Sequence, residues 1–362
     1  MHDPAEFIPK WAAAPGLTIT HALEERSMSY EDLAGELQCS KRFVLDLVAG
    51  RERITSEVAE RLAQSVGSTK RFWLAREEEY RKSLMKLAEQ DPDLGGWVSS
   101  LPVKDMKRLG WIKPMTGTQA IIECMQFFGV SSVERWRLTF ESAVVAAAFR
   151  SSAAFETNAG ALSAWLRQGE LQAAAVSASS WNPVAFTAAL HEARALTRIK
   201  SPGQFLPVLQ RLCSTAGVAV VVVPAPNGCR ASGAARFLSS TRALIQLSQR
   251  YGTDDQFWFT FFHEAGHLLL HPKVHLFIDG EETNVTKEEK EANEFAAGIL
   301  LTDEQRLRLT KLPTTYRDVI RFAREVGLAP GIVAGQLQHS RRVPFEWLNK
   351  AKRKLDWSDL TD

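Results

Sequence analysis

Apolar positions along the chain recur with a helical period over most of its length, and the period changes near residue 217. Residues 15 to about 90 read as consecutive short helices. Hydroxyl residues mark their starts: Ser29 before "YEDLAGEL", Ser40 before "KRFVLDLV", Thr55 before "SEVAERLAQSV" and Ser68 before the helix that holds "FWLAREEEY". A hydroxyl in that place can accept an otherwise unpaired backbone N–H of the first turn. "EQDPDLGG" (89–96) breaks the pattern and reads as a linker. Helical periodicity resumes from 97 to about 216, in stretches such as "VERWRLTFESAVVAAAFR" and "NAGALSAWLRQGELQAAA". Then "VAVVVVP" (218–224), "GAARFL" (233–238) and "ALIQLS" (243–248) are short, β-branched or alternating, and bounded by Gly, Pro or Ser. They predict a small sheet. A very apolar helix follows, then a loop, a helix opened by Thr286 with Glu289 at capping-box spacing, and further helices. The expected fold is mostly α with a small β-sheet, α+β. Its parts are a helical head (1–90), a helical middle region (91–204), a sheet-containing domain (205–340) and a basic C-terminal helix or tail (341–362).

Composition changes this picture little. The 362 residues are 45% hydrophobic and 24% charged, with a formal net charge of +2. No global basic field draws such a chain to nucleic acid or an anionic membrane, so any DNA contact needs a local patch. The four cysteines lack CxxC spacing, which predicts reduced thiols of a cytoplasmic protein rather than a disulfide frame. The N-terminus does not read as a signal peptide. The longest apolar runs, such as "GVAVVVV", are of strand length and cannot span a bilayer.

The chemistry is concentrated in "FFHEAGHLLLH" (261–271). His263 and His267 are four apart, so on a helix both imidazoles share one face and can hold one ion. Glu264 sits beside them, placed to reach a water on that ion. This is the HExxH arrangement of two neutral imidazole ligands and a carboxylate general base. The flanking Phe and Leu residues bury the helix, and unpartnered imidazoles there would cost several kcal/mol by rough reckoning. A zinc ion removes that penalty.

A catalytic zinc needs a third protein ligand. His271 and His275 are the nearest histidines downstream. His271, one turn on, curves away from a single ion and reads as a second layer around the site or as surface. The helix "EEKEANEFAAGILL" (288–301) offers Glu288, Glu291 and Glu294, with Glu291 favoured. In the resulting mechanism zinc activates its water and polarises a scissile carbonyl. Glu264 takes the water's proton and hands it to the leaving amine. The group that stabilises the oxyanion is not identified by the pattern; Arg236, near the sheet, is a candidate. The strand 242–248 is a candidate cleft edge to which an extended peptide could add.

The set "FFHEAGHLLLH", "EANEFAAGILL" and the preceding "RASGAARFLSSTRALIQLS" resembles the ImmA/IrrE family of zinc metallopeptidases over about residues 205–340. The resemblance implies a zincin-like fold, ligands at His263, His267 and Glu291, and a catalytic carboxylate at Glu264. It also implies a protein substrate, since studied members of the family act on helix-turn-helix repressors and so switch on stress or mobile-element genes.

The head has helix-turn-helix periodicity in "SYEDLAGELQCSKRFVLDLVAG" (29–50), with Leu33, Ala34 and Leu37 on one inner face and Val44 and Leu47 on the next. Ser40 would cap a recognition helix presenting Lys41 and Arg42 to base edges, with Arg51 and Arg53 suited to phosphates. Over about 15–80 it resembles the HigA-type antitoxin and repressor branch of the XRE family. That implies promoter DNA, a dimer on a two-fold site and a toxin as a further candidate partner. Gln38 stands where a Gly usually eases the turn. Residues 1–90 hold 13 basic against 15 acidic side chains, so the competing reading is a helical docking module. The stretch 316–340 holds two more helices, read as structural support or docking surface in preference to a second DNA reader. Two functions compete: an endopeptidase with its own DNA-binding head, and a transcriptional regulator or antitoxin whose zinc domain senses a ligand without cleavage.

Overall fold

A computed structural model describes residues 12–141, 158–250, 252–272, 276–279 and 286–358. The chain divides into two compact units, Met1–Ser142 and Ala143–Asp362. The middle region expected over 91–204 is therefore shared between the units. "EQDPDLGG" is no linker: its second half opens a helix, Asp93–Ser100.

In the first unit, α1 (Gly16–Arg26), α2 (Tyr30–Glu36), α3 (Lys41–Val48), α4 (Ser56–Ser65) and α5 (Lys70–Gln90) form the head. Ser29, Ser40 and Thr55 cap as expected, each side chain accepting a first-turn N–H. At α5 the cap is Thr69, not Ser68, which lies at φ +67 in the turn. Ile19, Leu33, Ala34, Val44, Leu47, Ala59 and Leu62 make the head's core. After α6 (Asp93–Ser100), α7 (Val103–Arg108) and α8 (Gly117–Phe128), a short α9 (Val133–Trp136) runs into a π-turn, Arg137–Glu141. The helix expected across 133–150 lies partly outside the described residues. Gln126 of α8 donates to the Gly50 carbonyl, and Gly50, at φ +71, has no room for a Cβ beneath the Tyr80 hydroxyl. The head is thus tied into a larger helical unit.

The second unit holds α10 (Ala159–Ala175), α11 (Pro183–Leu196), α12 (Pro202–Ser214), β1 (Val218–Val223), β2 (Gly233–Ser239), β3 (Arg242–Ser248), α13 (Asp254–Leu270) and β4 (Phe277–Asp279). After these come α14 (Lys287–Leu300), α15 (Asp303–Thr310), α16 (Tyr316–Val326) and α17 (Pro330–His339). The expected α+β class holds. The sheet order is β1-β3-β2-β4, with β1 parallel to β3 and the other pairs antiparallel. Strand alternation sorts its side chains. Ala235, Ile245 and Leu247 join the core made with Trp258, Phe261 and Phe262 of α13. Arg236, Arg242 and Gln246 point to the other face, where they donate to backbone carbonyls of α10 and the residue after it. α10 rides close there because a Cβ at Gly169 would lie 1.8 Å from Gln246 Oε1.

β3 is central and paired on both sides, so it is not the cleft edge the pattern suggested. The C-terminal stretch, expected as a helix or tail, is over its described residues an irregular segment with a short turn, Asn349–Ala351, and a bridge from Lys354 to Thr253. Its backbone and side chains hold the start of α13. Arg353 N donates to Asp254 Oδ1 at 2.9 Å, and Lys352 Nζ lies 2.7 Å from Asp255 Oδ2. The pair 316–340 does fold as two helices, with Gly327 at φ +76 between them. α17 buries six of its ten residues and packs against both α13 and α16, which suits support rather than DNA reading.

Gln38 occupies the left-handed region at φ +53, the conformation the turn demands. Gln38→Val should therefore destabilise the protein by about 1 kcal/mol or more, since β-branching is poorly tolerated at positive φ. Gln38→Gly should be tolerated. Urea unfolding followed by circular dichroism reads both, and equal midpoints for the two variants would sink the account.

Candidate metal centre

Trp258, Phe261, Phe262, Ala265 and Leu268 bury α13 on the core side, each 2% exposed or less. That packing leaves one narrow face for its polar residues, which are equally dry: His263 is 2% exposed, Glu264 0% and His267 1%. α14 crosses α13 closely because position 266 is Gly; a Cβ there would meet Phe295 Cδ1 at 3.0 Å and Ala292 Cα at 3.3 Å. Ala292 and Ala296 keep the facing surface equally low.

The crossing delivers a carboxylate to the imidazoles. His263 Nε2 and His267 Nε2 are 3.0 Å apart. Glu289 Oε2 is 3.1 Å from the first and its Oε1 3.5 Å from the second. One ligand atom from each of the three residues lies within 4.8 Å of the others. Burial alone would raise the Glu289 pKa, but hydrogen bonds and charge from the two imidazoles hold it down to about 2. Burial lowers His267 to about 4. At neutral pH Glu289 is therefore a carboxylate and His267 neutral, the states in which each can hold a metal.

The outer contacts fix which imidazole nitrogens face inward. His263 Nδ1 is 3.0 Å from Asn293 Oδ1, an acceptor, so an Nδ1 hydrogen has its partner there when Nε2 is engaged by an ion. His267 Nδ1 is 3.3 Å from His271 Nδ1, and His271 Nε2 is 2.8 Å from Glu291 Oε2. The His267 ring lies flat on Phe277 of β4, centroids 3.9 Å apart. Two lone pairs and a carboxylate converging in a dry core fit a divalent cation and are hard to explain without one.

Glu264 is placed by an absence. A Cβ at Gly233, the first residue of β2, would lie 2.4 Å from Glu264 Oε1 and 2.7 Å from Thr260 Cγ2. The strand can pass over the carboxylate only because no side chain intervenes.

Residues 216–337 match the family model of the IrrE N-terminal-like domain, a peptidase M78 family. No curated protein matches the chain. The M78 match covers the sheet, α13, α14 and the helices through most of α17, so it includes every residue of the centre and supports the ImmA/IrrE resemblance there. It supports a metallopeptidase-like function in general terms.

Several expected residues fall elsewhere. The carboxylate that meets both imidazoles is Glu289, whereas Glu291 is 43% exposed, pairs with His271 and Lys287, and does not approach the shared point. The expected capping box forms by half. Thr286 accepts from Glu289 N, but the Glu289 side chain turns to the imidazoles instead of back to the cap. Glu288 lies in the exposed first turn, and Glu294 binds Arg306. His275 lies outside the described residues. Arg236 sits on the sheet face away from α13, held by Leu166 O and Glu170, so it cannot serve an oxyanion at the centre. Sequence reading missed Asn293 and Gly233. Asn293 follows Glu289 by four, the spacing of a shared helix face; the role of Gly233 depends on tertiary packing.

In the head, Lys41 pairs with Glu31, Arg42 Nε lies 3.0 Å from Asp46 Oδ2, and Arg51 also binds Asp46. Arg51 is 14% exposed, which fits holding the end of α3 better than reaching a phosphate. Arg53 is exposed. Burial pushes the Cys124 thiol up to about 12 and Cys229 to about 11, as expected for inert thiols.

Two substitutions separate holding the ion from using it. Glu289→Ala should abolish stoichiometric zinc binding by elemental analysis. Gly233→Ala should keep the ion but displace the Glu264 carboxylate, lowering any peptidase turnover by about 10²-fold or more. Full zinc in Glu289→Ala would remove Glu289 from the ligand set.

Proposed function

We propose that the chain is a zinc-dependent endopeptidase whose substrate is a regulatory protein, a helix-turn-helix repressor or antitoxin. The convergence of His263, His267 and Glu289, with the buried Glu264 next to His263 on the same helix, carries this reading. A zinc ion held by those three residues would supply Lewis acidity to a water and to the scissile carbonyl. Glu264 accepts the water's proton and returns it to the leaving amine. Gly233 leaves the Glu264 oxygen room beneath β2. Asn293 keeps His263 in the tautomer that presents Nε2.

An extended peptide is the substrate form that suits this setting. Among the described residues, β4 pairs only with β2, so its other edge offers main-chain donors and acceptors. Phe277 of that strand packs on His267, so a peptide added to β4 passes beside the ligands. The head supports a helix-turn-helix substrate or promoter by its own build. Two capped helices meet at a left-handed turn, as in proteins that dimerise and read two-fold sites. Since Lys41 and Arg42 are each engaged by a carboxylate, DNA contact has to displace Glu31 and Asp46.

The deciding experiment mixes the zinc-loaded full chain with the repressor or toxin–antitoxin pair encoded beside it. Wild type should cleave, while Glu264→Gln should bind zinc normally and leave the substrate intact. An uncut substrate with zinc-loaded wild type would favour the regulator whose zinc domain senses a ligand.

DNA binding is checked with the full chain titrated against the promoter of its own gene at two salt concentrations. Lys41→Ala or Arg42→Ala should weaken specific binding by about 1–3 kcal/mol. Arg53→Ala should weaken all sequences alike and flatten the salt slope. No preference for the promoter over random DNA would leave the head as a docking module.

A further inference from the structure

His271 and Glu291 belong to no step of the mechanism above, yet they make an unbroken chain from solvent to the buried His267. Glu291 stands on the outer side of α14 and His271 caps the end of α13. Their side chains meet at 2.8 Å across the crossing.

With a metal on His267 Nε2, the hydrogens along this chain fall into place from the outside inward. The Glu291 carboxylate only accepts, so His271 Nε2 carries the hydrogen directed at it. Neutral His271 then has a lone pair on Nδ1, which accepts the Nδ1–H of His267. His267 is left with its lone pair on Nε2, aimed at His263 Nε2 and Glu289. The stack of His267 on Phe277 fixes the ring plane but leaves the tautomer to its partners.

We propose that His271 and Glu291 are positioning residues that set metal affinity through His267. They hold the tautomer with Nε2 bare, and they spread the charge acquired on metal binding through a second imidazole to an exposed carboxylate. Imidazole ligands usually donate their second N–H directly to a carboxylate or carbonyl. Here an imidazole is interposed, which carries the anion from the buried site out to water. The proposal rests on the reading of His263, His267 and Glu289 as ligands.

The test measures zinc affinity of the full chain by competition with a chromophoric chelator, together with the visible spectrum of the Co²⁺ form. His271→Ala should weaken zinc binding about 10- to 100-fold. Glu291→Gln should weaken it by a smaller factor, with the metal-free melting temperature unchanged because the side chain is exposed. The double variant His271→Ala/Glu291→Gln should be no weaker than His271→Ala alone, since Glu291 acts only through His271. His271→Gln, whose carbonyl can still accept from Nδ1, should recover much of the loss and the wild-type Co²⁺ spectrum. Wild-type affinity in both single variants would overturn the proposal while leaving the ligands intact. So would a His271→Gln variant as weak as His271→Ala. A wild-type chain that takes up no zinc would remove the ligand reading itself and the proposal with it.

Discussion

Three electron-rich groups are forced toward one point in a largely buried part of the protein. In water, two imidazole lone pairs and a carboxylate would separate and be hydrated. Here the aromatic packing of α13 and the close crossing at Gly266 hold them within hydrogen-bonding range. A cation would neutralise such an arrangement, and burial lowers His267 to about 4, which makes a proton there a poor substitute at neutral pH. The order of elements around α13 follows from this requirement. A sheet covers one side, α14 supplies the missing ligand, and α17 with the C-terminal segment steadies the far end.

The centre was partly legible because a helix states its faces in its spacing. His263 and His267 announced themselves by standing four apart among phenylalanines and leucines. The third carboxylate was harder for a specific reason. Glu289 lies three before Ala292 and seven before Ala296, on the buried stripe, but the same residue also stands three after Thr286. A capping box explained it locally and left Glu291 to complete the metal set. Local pattern and tertiary demand competed for one side chain, and the buried imidazoles outbid the exposed cap. Glu291 nevertheless sits in the same assembly, one imidazole further out.

Other features lay beyond a one-dimensional reading. The strand 242–248 looked like an open edge until the sheet order placed it between two partners, and its buried Gln246 is satisfied by Trp165 O from another helix. Arg236 is near the catalytic helix in projection but on the opposite side of the sheet, a distinction that rests on strand parity and on which helix covers which face. In the head, spacing gave the caps and the inner faces. It could not reveal that Lys41 and Arg42 already have carboxylates for company.

The clasp between Asp254 and Arg353 joins positions 99 residues apart, and it closes over the first turn of the very helix that carries the imidazoles. During synthesis α13 therefore leaves the ribosome long before its anchor does. At ordinary rates of about 5–20 residues per second, the gap is roughly 5–20 s. Over that interval the helix exists without its N-terminal fastening, and the three side chains that converge on it are held only by the contacts already made.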